Sequence, residues 1–432
     1  MFTAREQVVM VHYGPYLDPL GGGTKADRCI LEYLAAQGFP CTAVIPASHS
    51  TFVELPNAGA QRAITGGVIY EQANGVDVHV VYEDSIPDYR RHQRLLQHIE
   101  RLIDLAPSWI FLTGSDRGHQ ILKRVVKKTA GRNVIYIPRA TAELPMGPNC
   151  LVEDSNAVRA MTQVHTVLCA SEYMAQYLKT WCCVDAYSTD VPVYGRPPYP
   201  NFAGTGSYIT IINPCGIKGI DIFLALAKRH QEWSFAAVPT WATTQADRER
   251  LRGAPNVLEM KPSSDIDDVL REALVVIVPS LWDEAFGRIV IEAMLRGIPV
   301  LASDIGGLPE AKLGVPYLLP VNPVESYYGL DARTRTPLAR VPPQNIEPWN
   351  NALLRLCDDP AHYTEISQAS RIAAISYAAK LNLNIVDQVM SRPNKNKPLE
   401  SPSIPVVRQM ANVSAERRAA LLLNLRKRKL LN

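Results

Sequence analysis

The stretch PSLWDEAFGRIVIEAMLRGIPVLASDIGGLPE, residues 279–310, decides the fold. It reads as the end of a strand, a short loop, a helix, a second strand and a Gly-rich turn. The loop carries one acid, Glu284, and the helix carries another, Glu292, eight residues later. Between them, Phe286, Gly287 and Arg288 bring backbone N–H groups to the start of the helix. A helix start with free N–H groups and a positive dipole end attracts anions. Glu292 sits in the otherwise apolar run IVIEAM, where a buried acid without a partner is costly. It therefore needs one. Gly297 and Pro299 stop the helix, and Val300 to Ala302 returns to the sheet.

The same strand–helix rhythm runs outward in both directions. On the N-terminal side, strands are expected at residues 7–12, 41–46, 76–81, 109–113, 133–138 and 164–169. Helices are expected at 26–37, 89–105, 120–129 and 172–181. Residues 189–207, TDVPVYGRPPYPNFAGTGS, are rich in proline and glycine without periodicity and read as a linker. Alternation restarts with strands at 208–212, 234–238, 257–260 and 274–278 and helices at 219–229, 247–251 and 266–272. Residues 361–389 read as one or two long helices. The fold class is α/β, with two Rossmann-like βαβ domains facing across a cleft and a C-terminal helix crossing back to the first. The expected boundaries are 1–195, 205–375, a crossover helix at 376–392, and a linker with a basic, Leu-rich tail at 393–432.

Composition fits this reading. The 432 residues suffice for two ordinary domains, and 47% hydrophobic with 20% charged residues is normal for a globular chain. The net charge of +3 gives no footprint for nucleic acid. No secretory signal or membrane-spanning run is visible, which leads to the expectation of a cytoplasmic protein. The eight cysteines are scattered without a CxxC pair and read as reduced thiols, so no metal site is expected.

Two further motifs follow strands. LGGGT, Leu20 to Thr24, offers a close backbone approach and a helix start, but its spacing is not that of a dinucleotide-binding turn. NPCGIKG, Asn213 to Gly219, sets the Lys218 ammonium at a helix start, where it can hold a diphosphate. His12, at the end of the first strand, and Asp18, in the glycine loop, can line the cleft, although such a residue is more often satisfied by a local partner. Two acids around an anion pocket suit a ligand that is half phosphate and half polyhydroxyl, and a nucleotide sugar is such a ligand.

The 279–310 stretch resembles the carboxylate signature of retaining family 4 glycosyltransferases of the GT-B fold (glycosyl transferases group 1): two glutamates separated by seven residues, a Gly-hydrophobic-Pro strand entry and a GGLPE turn. GGGT resembles that family's glycine loop, NPCGIKG its Lys-Gly element, and VHTVLCASEYMAQYL the strand–Ser–helix closing its first domain. The resemblance covers about residues 7–390 and is stronger in the second domain.

It implies an N-terminal acceptor domain and a C-terminal donor domain. Glu292 would bind the donor ribose, and Glu284 would stand at the donor sugar near its reacting carbon. Backbone groups of Phe286, Gly287 and Arg288 would meet sugar or phosphate. Lys218, with Asn213 and Gly219 in its loop, would neutralise the diphosphate, and Gly22 and Gly23 would close over it. Two departures stand out. The arginine that many members carry five or six residues before the lysine is replaced by Ile212 or Asn213, so Arg288 is the expected substitute. The first-domain histidine has no clear counterpart, leaving Asp116, His119 and Arg139, besides His12, as acceptor-side candidates.

The expected activity is transfer of a sugar from a nucleoside diphosphate, UDP or GDP, to an acceptor hydroxyl with retention of configuration, without a cofactor or metal. A sugar-nucleotide epimerase or hydrolase of the same fold, or a non-catalytic nucleotide-binding adaptor, are the alternatives. The tail segment 414–431, with six Arg/Lys and one acid between 416 and 429, suits a peripheral membrane contact. It also resembles a leader segment of nonribosomal peptide synthetases, which would imply docking to a carrier protein or synthetase in secondary metabolism.

Overall fold

The structure, a computed structural model, describes residues 6–12, 16–17, 21–48, 63–65, 67–83, 93–114, 116, 118–332, 334 and 336–391. Asp18, the start of the 89–105 helix and the whole 414–431 tail lie outside the described residues.

Two sheets form the framework. The first holds β1 (Val8–Val11), β2 (Cys41–Ser48), β3 (Ala63–Thr65), β4 (Val68–Ala73), β5 (Val76–Glu83), β6 (Trp109–Thr113), β7 (Val134–Ile137), β8 (Thr166–Cys169) and β9 (Tyr187–Ser188). Their order is β3-β4-β5-β2-β1-β6-β7-β8-β9. The strands from β5 to β9 pair in parallel, and β3 and β4 add an antiparallel edge. The second holds β10 (Tyr208–Ile212), β11 (Phe235–Val238), β12 (Val257–Glu259), β13 (Ala273–Val278), β14 (Val300–Ser303) and β15 (Leu318–Leu319), in the order β12-β11-β10-β13-β14-β15 and all parallel. Strands such as VVMV and FAAV are buried along their whole length because helices cover both sheet faces. The expected two Rossmann-like domains are present.

In each sheet the strand order reverses at one point. In the first, β1 lies beside β6; in the second, β10 lies beside β13. Loops leaving two such strands diverge to opposite faces and open a crevice at their carboxyl ends. His12 and the glycine motif follow β1, and Asp116 and His119 follow β6. Lys218 follows β10, and Glu284 follows β13. Topology alone thus gathers the candidate residues.

The chain then returns. The 361–389 region is two helices, Pro360–Lys380 and Asn384–Met390, divided at 381–383. The first packs on the second domain, where Ser367 Oγ donates to the Gly297 carbonyl at 2.6 Å and Arg371 bridges the Leu295, Tyr199 and Pro200 carbonyls. The second buries Val386 and Val389 in the core of the first sheet. Tyr33 donates to Asp387 there at 2.5 Å. Tyr377, near the end of the longer helix, fixes the linker by bonding both the N–H and the carbonyl of Val191.

Several elements lie outside the sequence expectations, among them the antiparallel β3–β4 edge and the Glu347–Asp358 helix. The β16 (Ser326–Leu330) and β17 (Pro337–Arg340) hairpin follows the second sheet. The helix expected from Ala26 begins at Gly22, so Gly22 and Gly23 are its first turn. A Cβ on Gly23 would lie a tight 3.3 Å from Arg139, whereas one on Gly22 would make only ordinary contact with Arg288, at 3.6 Å.

Candidate active site

Glu284 is placed by its neighbours' backbones. Leu281 N–H bonds the Ile217 carbonyl at 2.9 Å, joining this loop to the one that carries Lys218. Gly307 N–H bonds the Glu284 carbonyl at 2.8 Å. A Cβ on Gly306 would come within 2.6 Å of the Glu284 nitrogen, so only glycine lets the GGLPE turn pack this closely. The Glu284 carboxylate forms an ion pair with Lys218 and accepts from Ser280 Oγ at 2.6 Å. Burial pushes Glu284 up, but the Lys218 charge and the bonds from Lys218 and Ser280 outweigh it and hold the carboxyl below its ordinary value. Lys218 also lies 4.7 Å from the Trp282 ring centre. Its turn is closed by Gly219 at φ 74°, where a side chain would strike the Pro279 carbonyl.

Glu292 lies on the Arg288–Leu295 helix and is almost fully buried. Its partner is not left to a ligand, as the sequence suggested. Arg288, one turn earlier, donates Nε at 2.6 Å, and Tyr194 N–H donates at 3.2 Å. Arg288 is equally buried; its Nε is engaged by Glu292 and its Nη1 reaches the Gly22 carbonyl at 3.5 Å. Gly287 caps the helix at φ 98°, where a Cβ would run into Leu308. Phe286 stacks on Tyr377 with ring centres 6.0 Å apart.

Asn213 stands in the lysine loop, but its Oδ1 accepts from Ala242 N–H at 3.0 Å and shapes the adjoining turn. The amide oxygen is thus used within the fold.

On the first domain, His12 and Arg139 both meet Asp27, a buried acid of the Gly22–Ala36 helix that sequence reading passed over. His12 Nε2 lies 3.4 Å from it, and Arg139 forms an ion pair with it. Burial pushes Arg139 down to about 10. Asp116 caps the Gln120–Thr129 helix by accepting from the Gln120 and Leu122 N–H groups, and His119 bonds the Glu143 carbonyl at 3.1 Å. These last two are engaged locally, Asp116 at the helix start and His119 on the Glu143 carbonyl. Arg139 alone among the four adjoins the glycine turn.

The two domains touch across the cleft. Ala140 forms a backbone bridge with Glu284 itself. Asp283 accepts from Asn149 Nδ2 and Tyr173 Oη. Glu310 accepts from the N–H groups of Glu172 at 2.8 Å and Tyr173 at 2.7 Å, capping the Glu172–Cys182 helix from the opposite domain. Asp283, Tyr173 and Asn149 carried no signal in the sequence, because their contact is made only by the assembled fold. Among the described residues no group of three or more metal-ligating side chains occurs, and no helix is long and apolar enough to cross a membrane.

Two domains of this kind, closed on a site of paired acids and cations, define a fold shared with glycosyltransferases. Residues 218–312 match the family model Glycosyl transferases group 1. The segment runs from Lys218 through both glutamates to Lys312. Among curated proteins, the chain is 32% identical over 93 residues to an uncharacterized 42.6 kDa protein in the cps region of Klebsiella pneumoniae, covering 22% of this chain and 25% of that one. It is 39% identical over 62 residues to D-inositol 3-phosphate glycosyltransferase of Streptomyces bingchenggensis, covering 14% and 13%. These matches span a quarter or less of those relatives' length. Solved structures align over nearly the whole chain. Sucrose-phosphate synthase from Thermosynechococcus elongatus gives a TM-score of 0.62 at 17% identity, covering 89% of this chain and 97% of that one. HepE of Anabaena, in complex with UDP and glucose, gives 0.59 at 13%, covering 90% and 100%.

Proposed function

We propose that this chain is a glycosyltransferase that moves a sugar from a nucleoside diphosphate sugar to an acceptor hydroxyl. The observation that carries the reading is the Lys218–Glu284 pair. It follows β10 and β13 at the switch point of the second sheet, where Glu284 bridges Ala140 of the first domain, and the start of the 15-residue glycine helix faces the second domain, with Gly22 against Arg288. A diphosphate entering there meets the helix N–H groups and can take Lys218 from Glu284. That exchange frees the Glu284 carboxylate, still bonded by Ser280, to face the sugar. Glu292 would accept the ribose hydroxyls, with Arg288 holding its carboxylate in place.

In this mechanism the bond between the sugar's anomeric carbon and the phosphate oxygen breaks, and Lys218 with the helix end stabilises the departing diphosphate. Positive charge growing at the anomeric carbon is met by Glu284. The acceptor oxygen forms the new bond on the face the diphosphate leaves, passing its proton to a leaving phosphate oxygen, so configuration is retained. UDP and GDP are the proposed carriers. The match over residues 218–312 and the fold shared with a UDP-bound relative support this reading.

The direct test is release of nucleoside diphosphate from a panel of UDP- and GDP-sugars with mixed glycoside acceptors. Glu284→Gln should lose at least about 100-fold in kcat while donor affinity stays within a few-fold. Equal turnover by the variant and the parent protein would remove Glu284 from the chemistry. A stereochemical readout of the product by NMR checks retention.

A further inference from the structure

We propose that Trp241 is a sugar-stacking residue, whose indole receives the C–H face of a pyranose ring at the Lys218–Glu284 end of the cleft. Of the six tryptophans it is the exposed one, at 39%, whereas Trp282 beside it is buried. Its turn is nonetheless held tightly by buried polar groups on either side. Asn213 Oδ1 accepts from Ala242 N–H at 3.0 Å, Thr336 Oγ1 from the β16–β17 hairpin donates to the Ala242 carbonyl at 3.1 Å, and Thr243 Oγ1 accepts from Thr240 N–H at 3.3 Å. Ala242, Thr243 and Thr336 are all buried. An exposed indole on a turn fixed from two elements is preorganised for contact at low entropic cost.

Position decides what that contact is. The edge of the Trp241 indole lies 3.8 Å from where a Cβ of Gly21 would stand, so the ring reaches the glycine turn of the other domain. Its centre is 6.4 Å from that of Trp282, inclined at 46°. Trp282 in turn carries Lys218, the partner of Glu284, over its ring. The ring therefore adjoins the reacting end. The Glu292 end is bordered by other groups: Tyr194 donates its N–H to Glu292, and Lys25, which bonds the Ser264 carbonyl, lies 5.5 Å from the Tyr194 ring. A nucleobase attached to a ribose at Glu292 is thus directed away from Trp241, and a pyranose is directed toward it. A pyranose has an apolar C–H face for the indole and a hydroxyl rim for Lys218 and Glu284, the combination that such a half-apolar, half-charged wall selects.

This inference rests on the transferase reading for the orientation of the ligand. The ring could be the donor's hexose or a sugar of the acceptor, and calorimetry on the full chain separates them. The parent protein, Trp241→Ala and Trp241→Phe are titrated with UDP, GDP, UDP-glucose, GDP-mannose, and methyl glucoside or mannoside with UDP present. Stacking predicts that UDP and GDP bind Trp241→Ala within about two-fold of the parent. A sugar-bearing ligand should weaken at least ten-fold and recover largely in Trp241→Phe. Loss with the nucleotide sugars identifies the donor ring, and loss with the methyl glycosides alone identifies the acceptor ring. Equal weakening of UDP or GDP alone, or no change with any ligand, overturns the proposal. If the parent binds glycosides but no nucleotide, and Trp241→Ala loses them, the transferase reading fails while stacking stands. Binding of no probe at all overturns both.

Discussion

At the scale of single residues, the site is two acids each held by its own cation, and the two pairs differ in kind. Lys218–Glu284 is the more open and can be exchanged for a ligand; Arg288–Glu292 is more deeply buried and stays paired while Glu292 takes the ribose. Lys218→Ala should therefore raise the dissociation constant for a nucleoside diphosphate at least about ten-fold with little change in melting temperature, by titration calorimetry and thermal unfolding. Arg288→Ala leaves a buried carboxylate without its cation and should cost about 3 kcal/mol of stability, read from denaturant unfolding. Restored donor binding at full stability in that variant would contradict the pairing.

Lys312 is a third case. It is fully buried with its ammonium on the Val300 carbonyl at 2.7 Å, and burial pushes it down to about 7 from an ordinary 10.5. Between those values the unfolded chain holds the proton and the folded chain does not, so stability rises with pH across that window. The penalty is fully present below pH 7. Lys312→Met should raise stability by about 2 kcal/mol near pH 6.5, after the cost of the lost hydrogen bond, with the gain fading toward pH 10. A gain independent of pH would assign the effect to packing.

At the scale of elements, helix ends do most of the positioning. The acid–helix–strand–turn order around 279–310 was legible because each part has a local signature: an apolar run, a Gly-Pro stop and a Gly-Gly turn. Arg288 and Glu292 are four apart, so their pairing was also open to a helical reading; the expectation of a ligand partner overlooked it. The start of the glycine helix was misplaced by four residues, since glycine is a poor helix former that here serves close approach. The Glu310 cap was not legible, because it joins elements 138 residues apart. Glu310→Ala removes the anionic cap on the Glu172–Cys182 helix while Ser171 keeps its own bond to Met174. It should cost about 1 kcal/mol and increase hydrogen exchange at Glu172 and Tyr173. Unchanged exchange there would show that the interdomain cap is not formed in solution.

At the scale of the molecule, two sheets with reversed strand order present their crevices to one another, and the chain's return through 360–390 ties the second domain to the first. Alternating strands and helices made that architecture readable. The hairpin of β16 and β17 was not, because its partly exposed strands lack a regular apolar alternation. Nor could the sequence show that the domains meet at Glu284, through the bridge to Ala140. The account's central claim is that this meeting place receives a nucleoside diphosphate. Thermal unfolding of the full chain with UDP and with GDP tests it most directly. Ligand at 100 times its dissociation constant adds about 2.7 kcal/mol, a rise of several degrees, which Lys218→Ala should largely abolish. No rise with either nucleotide, or an equal rise in Lys218→Ala, would contradict it.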